Sequence, residues 1–249
     1  MSDTTAGNPG GTAKPTVVLV HGAFADSSSW NGVIASLRSD GYPVIAAANP
    51  LRGLHADAEY VRTVLDSVAG PIVIAGHSYG GSVMSEAAVG NPHVKALVYV
   101  ASFILEEGES TGELAAKFPG GELGSALNPV PLTSAGSEEV ADLYIQQDRF
   151  HDVFAADVAE DVAALMAVTQ RPIVADALEE KATGAAWKTV PSWNVITRQD
   201  LAVPAESQRF MGRRANSHDV EVDASHAVTV SRPDVVAQAI DEAATATAG

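Results

Sequence analysis

One ten-residue stretch restricts what this chain can fold into more than any other: Ile72-Val-Ile-Ala-Gly-His-Ser-Tyr-Gly-Gly81. A β-rich run passes directly into Gly76-His77-Ser78-Tyr79-Gly80, and a helix-compatible segment, 81–89, follows. A Gly-x-Ser-x-Gly pattern between a buried strand and a helix is the signature of a nucleophile elbow. The turn is sharp enough to force the central serine into a strained backbone conformation, and a Cβ on either flanking glycine would collide with the neighbouring strand or helix. Ser78 is thereby pushed out at the C-terminal edge of a sheet, with a helix N-terminus behind it that favours negative charge.

The remaining chain supplies such a sheet. From Lys14 onward, short runs rich in Val, Ile and Leu alternate with helical periodicity, which predicts a mostly parallel sheet covered by helices on both faces. Strands are expected at 16–20, 44–48, 72–75, 94–101, 193–197 and 220–222, barely alternating in polarity because both faces are buried. Trp30, Val33, Ile34 and Leu37 fall at i, i+3, i+4 and i+7, and Val61, Val64, Leu65 and Val68 repeat that spacing, so both segments read as helices. A last helix opens at Pro233. The rhythm breaks between Phe103 and Lys188, where Gly/Pro-rich loops give way to expected helices around 140–147, 158–168 and 173–181. The domain plan is therefore a tail at 1–13, a core made of 14–102 and 189–249, and an inserted helical cap at 103–188. Within 138–180, eleven acidic residues stand against two arginines, which reads as a solvated helix surface, with an electrostatic filter favouring neutral or cationic ligands as the alternative.

A serine hydroxyl becomes a good nucleophile only when a base takes its proton, and the base needs an acid to orient it. His226 lies just past the last strand, where a loop returns to the top of the sheet, and is the expected base. His21 and His77 sit inside glycine motifs and read as packing or hydrogen-bonding residues. The acid should follow the preceding strand, which favours Asp200 over Asp223, a residue only three positions before His226; Glu106, Glu107 and Glu109 are more distant options. The tetrahedral intermediate needs two N–H donors. One is the amide of Tyr79; the other comes from the loop after the first strand, with Ala23 preferred and Phe24 as fallback.

Composition closes off other chemistries. There is no cysteine, so disulfides, thiolate catalysis and cysteine metal sites are absent, and no histidine cluster has metal-ligand spacing; neither metal nor cofactor is expected. The formal net charge of -16 disfavours nucleic acid and anionic membrane surfaces. No apolar run approaches the length of a membrane span, and the first thirteen residues hold no secretory core, so a cytoplasmic location is expected. The expected partner is a small-molecule substrate, with a homodimer left open.

Four pieces carry a family resemblance: Leu19-Val-His-Gly-Ala-Phe24 with Trp30 downstream, Gly76-His-Ser-Tyr-Gly-Gly81, Thr197-Arg-Gln-Asp-Leu-Ala-Val-Pro204, and Ser225-His-Ala227 with the final helix. Through them the chain, from Thr16 to about Ala243, resembles the α/β-hydrolase superfamily, in the branch of plant methylesterases, hydroxynitrile lyases and small bacterial esterases. The resemblance implies Ser78 as nucleophile, His226 as base, Asp200 as acid, and Ala23 and Tyr79 as the oxyanion hole of a cofactor-free serine hydrolase. Its expected substrate is a small, largely apolar ester or lactone. One position departs: the lyases carry a lysine directly after the catalytic histidine, and here it is Ala227. The same triad also serves carbon-carbon bond hydrolases and cofactor-free haloperoxidases. Hormone-binding receptors on this fold are the alternative from another class, disfavoured by a triad that looks complete. Pocket-lining residues are sought among Phe24, Phe103, Phe150, Phe154, Met166 and Trp187, each of which also suits an ordinary core.

Overall fold

The computed structural model describes residues 14–132 and 140–248. The expected tail at 1–13 lies outside them. The strands are β1 (Thr16–Val20), β2 (Val44–Ala47), β3 (Ile72–His77), β4 (Val94–Val100), β5 (Leu127–Pro131), β6 (Ala141–Ile145), β7 (Ile173–Val174), β8 (Ser192–Thr197) and β9 (His218–Val222). The helices are α1 (Asn31–Ser39), α2 (Leu54–Asp66), α3 (Tyr79–Ala87), α4 (Thr111–Ala115), α5 (Gln147–Phe154), α6 (Glu160–Thr169), α7 (Asp176–Glu179), α8 (Ala205–Ala215), α9 (Val228–Ser231) and α10 (Pro233–Ala246).

Six strands form one all-parallel sheet in the order β2-β1-β3-β4-β8-β9. Alternate residues divide its two faces. Val18, Val20, Ile72, Ile74, Leu97 and Tyr99 pack with Leu54, Val61 and Leu65 of α2 and Val83 and Met84 of α3. Val17, Leu19, Val73, Ala75, Ala96 and Val98 pack with Trp30, Leu37 of α1, and Val236 and Ile240 of α10. The inner strands β1, β3, β4 and β8 are buried on both faces, which is why they read as continuous apolar runs, whereas the edge strands β2 and β9 are half-buried or exposed, β9 up to Val222. Burying side chains of this size contributes about 1.5 to 3 kcal/mol each. The chain leaves β1 toward β2 on one side and continues through β3 and β4 on the other, so the strand order reverses between β1 and β3. A crevice at the carboxyl ends of the strands opens at such a reversal. Ser78 follows β3 and Ala23 follows β1, one on each side of it.

The segment between β4 and β8 departs from an all-helical expectation. Residues 141–145 form the central strand of a three-stranded antiparallel sheet, β5-β6-β7, instead of a helix, and the expected helix at 173–181 begins as β7 and shortens to α7. Pairing decides the matter: Leu127–Pro131 supplies an edge whose prolines, Pro129 and Pro131, tolerate only that position. On β6 the Gln170 side chain accepts from the Ile145 N–H at 2.8 Å and donates to its carbonyl at 2.9 Å. The expected helix at 158–168 is present as α6. Among the described residues no helix is long and apolar enough to cross a membrane.

Candidate active site

Ser78 sits between β3 and α3 with φ 53° and ψ -126°, a conformation that L residues avoid and that neighbours must hold in place. Its N–H donates to the Val100 carbonyl at 3.1 Å, and its carbonyl accepts from Gly81 N–H at 2.9 Å and Ser102 Oγ at 2.6 Å. The glycines have the steric role that the motif demands. A Cβ on Gly76 would lie 2.6 Å from the Gly80 carbonyl oxygen, and one on Gly22 would lie 2.7 Å from Ser78 Cβ. Gly76→Ala is therefore expected to cost about 3 kcal/mol or more through overpacking against rigid backbone, read as a fall in the urea midpoint. A wild-type midpoint would show that the elbow has room to move.

His226 lies on the loop between β9 and α9, and Asp200 lies on the loop after β8. The two side chains are completely buried and meet with His226 Nδ1 2.8 Å from Asp200 Oδ2. A carboxylate only accepts, so Nδ1 carries the proton and Nε2 presents a bare lone pair. That nitrogen is buried and has no partner among the described residues. Ser78 Oγ likewise forms no hydrogen bond with a described residue. Asp200 is held by Thr197 Oγ1 at 2.8 Å and Gln208 Nε2 at 3.1 Å on Oδ2, and by the N–H groups of Ala202 and Val203, both at 2.8 Å, on Oδ1. The other carboxylates are engaged elsewhere. Asp223 is exposed and paired with Arg198 at 2.6 Å, Glu109 is clamped by Arg214 at 2.7 Å, and Glu106 pairs with Lys188.

The three candidate oxyanion donors differ in their bonding. Phe24 adopts φ 60° and already donates its N–H to the Arg171 carbonyl at 3.0 Å. Ala23 N–H and Tyr79 N–H, the latter in the first turn of α3 where helical amides have no internal partner, donate to no acceptor among the described residues.

His21 and His77 are buried supports. His77 Nε2 donates to the carbonyl of His226 at 2.8 Å, and His21 Nδ1 lies 2.9 Å from the Gly22 carbonyl. Burial lowers His21 to about 4 and His77 to about 3, so both are neutral in the fold. Unfolding returns each to 6.5. The folded values lie below the unfolded one, so their contribution is complete above that pH and is lost as the unfolded chain takes up protons first. Urea midpoints are expected to fall from pH 6.5 to 4.5, with a shallower fall in His77→Gln; His55, raised by its bond to Glu86, acts in the opposite sense above this window. A flat profile would mean that the imidazoles are charged in the fold.

Aromatic rings lie against His226. The Phe154 ring lies 4.8 Å from that of His226, and it meets Phe150 at 5.0 Å and Phe24 at 6.4 Å. Phe24 and Met166 border a cavity of about 310 Å³ between the 25–31 segment and α6. Phe103 is buried directly after the sheet, with its N–H 3.5 Å from the Ser78 carbonyl. Trp187 belongs to a different group: its indole N–H donates to Leu105 at 2.7 Å and its ring faces Arg214. Sequence reasoning missed Thr197 and Gln208, and it missed the tie between α5 and the base loop, in which the Phe154 carbonyl accepts from Ala227 N–H at 2.9 Å. Only Thr197, three residues before Asp200 at a strand end, carried a local signal.

Residues 17–239 match the model of the Alpha/beta hydrolase family. The alpha/beta hydrolase nvfD of Aspergillus novofumigatus is 28% identical over 255 residues, covering 93% of this chain and 97% of that protein. A pyrethroid hydrolase of Sphingobium wenxiniae is 27% identical over 259 residues, covering 93% and 88%. The crystal structure of polyneuridine aldehyde esterase superposes with a TM-score of 0.79 at 17% identity, covering 92% of this chain and 98% of that one. With the parallel sheet, the strained serine after β3 and a matched span that takes in nearly the whole core, the chain belongs to the alpha/beta hydrolase family.

Proposed function

We propose that the protein is a serine hydrolase that cleaves a small, largely apolar carboxylic ester or lactone. The observation that carries this reading is the buried His226–Asp200 pair, whose tautomer leaves Nε2 bare, on the same protein that holds the buried Ser78 in a strained turn after β3. Nε2 takes the proton of Ser78 Oγ as the oxygen attacks the ester carbonyl carbon. The carbonyl oxygen becomes an oxyanion that Tyr79 and Ala23 N–H stabilise, each donor contributing about a hundredfold to a thousandfold in rate. Asp200 stabilises the imidazolium, which passes its proton to the leaving alkoxide and leaves an acyl group on Ser78. Water, deprotonated by the same nitrogen, then releases the acid and restores the serine. The names of the relatives, a pyrethroid hydrolase among them, support ester hydrolysis.

Phe154, with Phe150 and Phe24 against it, puts apolar rings beside His226, which suits a largely apolar substrate; Phe103 and Met166 are further lining candidates, and the segment 103–188 acts as the cap. Initial rates on a panel of aryl and alkyl esters and lactones, with and without prolonged chelation, test the proposal. Turnover that survives chelation is expected; loss restored by one divalent ion would overturn the serine mechanism. Mandelonitrile should release little or no cyanide, because Ala227 offers no ammonium to the departing anion. Efficient release would contradict that assignment.

A further inference from the structure

Helix α8 buries a glutamine against the acid rather than presenting it to solvent. Gln208 is 0% exposed. Its Nε2 lies 3.1 Å from Asp200 Oδ2, 2.9 Å from Thr197 Oγ1 and 2.7 Å from the Val203 carbonyl, and its Oε1 accepts from Thr197 N–H at 3.1 Å. A primary amide is costly to bury unless its atoms are used, and here both the nitrogen and the oxygen are.

We propose that Gln208 is a positioning residue of the acid–base pair that acts through Asp200, tempering with Thr197 the basicity of Oδ2, the oxygen that meets His226. The inference rests on the serine-hydrolase reading above. The division of labour on Asp200 supports it. Oδ1 is anchored by two backbone N–H groups, Ala202 and Val203, which keep the carboxylate in place whether or not Gln208 is present. Oδ2 is shared among His226 Nδ1, Thr197 Oγ1 and Gln208 Nε2. Each side-chain donor draws charge from that oxygen, so removing one leaves a stronger partner for the imidazolium. The loss of Gln208 therefore acts on the proton affinity of His226 more than on the position of the acid.

The other titratable groups about the pair do not bond to the Gln208 side chain. His77 has its ring 4.7 Å from that of His226 and is neutral. Asp157, on the cap side, accepts from Ser225 Oγ, and Asp223 is exposed and paired with Arg198.

The test is the pH profile of kcat/KM for wild type, Gln208→Leu and Thr197→Val on one aryl ester, with the His226 Nδ1 proton followed by NMR over the same range. In both variants the acid limb and the NMR titration are expected to rise by on the order of one pH unit, since a hydrogen bond to a charged group has been removed. Ser207→Ala, which deletes a buried bond to the Leu114 carbonyl on the same helix, is the structural control. It should lower the Tm and leave the limb unmoved. If Gln208→Leu does not fold, Thr197→Val carries the same expectation, and Gln208→Glu, which can donate to Oδ2 only while protonated, supplies a further variant. Folded variants with the wild-type limb and proton titration would overturn the proposal. Failure of the hydrolase reading shows itself separately, as a wild-type protein without ester turnover whose His226 titration still responds to Gln208.

Discussion

Ser78→Ala is expected to lower kcat by about 10⁴- to 10⁶-fold while leaving a folded protein with a Tm close to wild type. The chemical loss is large because the acyl-enzyme route disappears with the oxygen; what survives is the stabilisation supplied by the oxyanion donors and by binding. The structural loss is small because the hydroxyl makes no hydrogen bond to a described residue, whereas the backbone is held by Val100, Gly81 and Ser102. Alanine keeps the Cβ, so the positive φ is neither relieved nor aggravated. Kinetics on an aryl ester and a thermal melt of the same preparation check both halves. Turnover within tenfold of wild type would remove Ser78 from the chemistry.

Asp200→Asn is expected to lower kcat by about ten-thousandfold, because an amide cannot stabilise the imidazolium and permits the wrong tautomer of His226. The structure adds a stability cost. Ala202 N–H, Val203 N–H, Thr197 Oγ1 and Gln208 Nε2 all converge on the carboxylate, and an amide turns one of its two ends from acceptor to donor. A buried donor left facing a donor costs about 1 to 3 kcal/mol, so the variant should also melt earlier. Asp223→Asn removes only an exposed ion pair with Arg198 and should change stability by less than about 1 kcal/mol and kcat little. The opposite ranking of the two substitutions would show that Asp223 is the acid.

The elbow was legible because glycine and serine at fixed spacing after a β-branched run have few other uses, and the sheet because doubly buried strands leave uninterrupted apolar runs. The approach of His226 to Asp200, 26 residues apart, followed from chain order at the strand ends rather than from any local pattern. What the sequence concealed depends on partners distant along the chain. Residues 141–145 carry apolar spacing compatible with a helix, and only the edge strand at Leu127–Pro131 and the Gln170 side chain make them a strand. Phe24 was the fallback donor behind Ala23, and its amide is engaged by the Arg171 carbonyl, a partner far along the chain that no local pattern announces. Gln208 sits in a helix with a charged exposed face, and nothing within its own turn marks it as turned toward Asp200. Trp187, an aromatic near the end of the insert, satisfies its indole at Leu105 instead of joining the rings beside His226.

The central claim is that Ser78 is activated by His226, and a fluorophosphonate reads that activation directly, because the serine oxygen displaces fluoride at phosphorus and the adduct's oxygen occupies the oxyanion position. Intact-mass and peptide-level spectra of the wild type should show one adduct per chain, on the peptide carrying Ser78, with the label absent from Ser78→Ala and strongly slowed in His226→Ala. Rapid labelling of another residue, or no labelling of a folded protein that hydrolyses esters, would contradict the account.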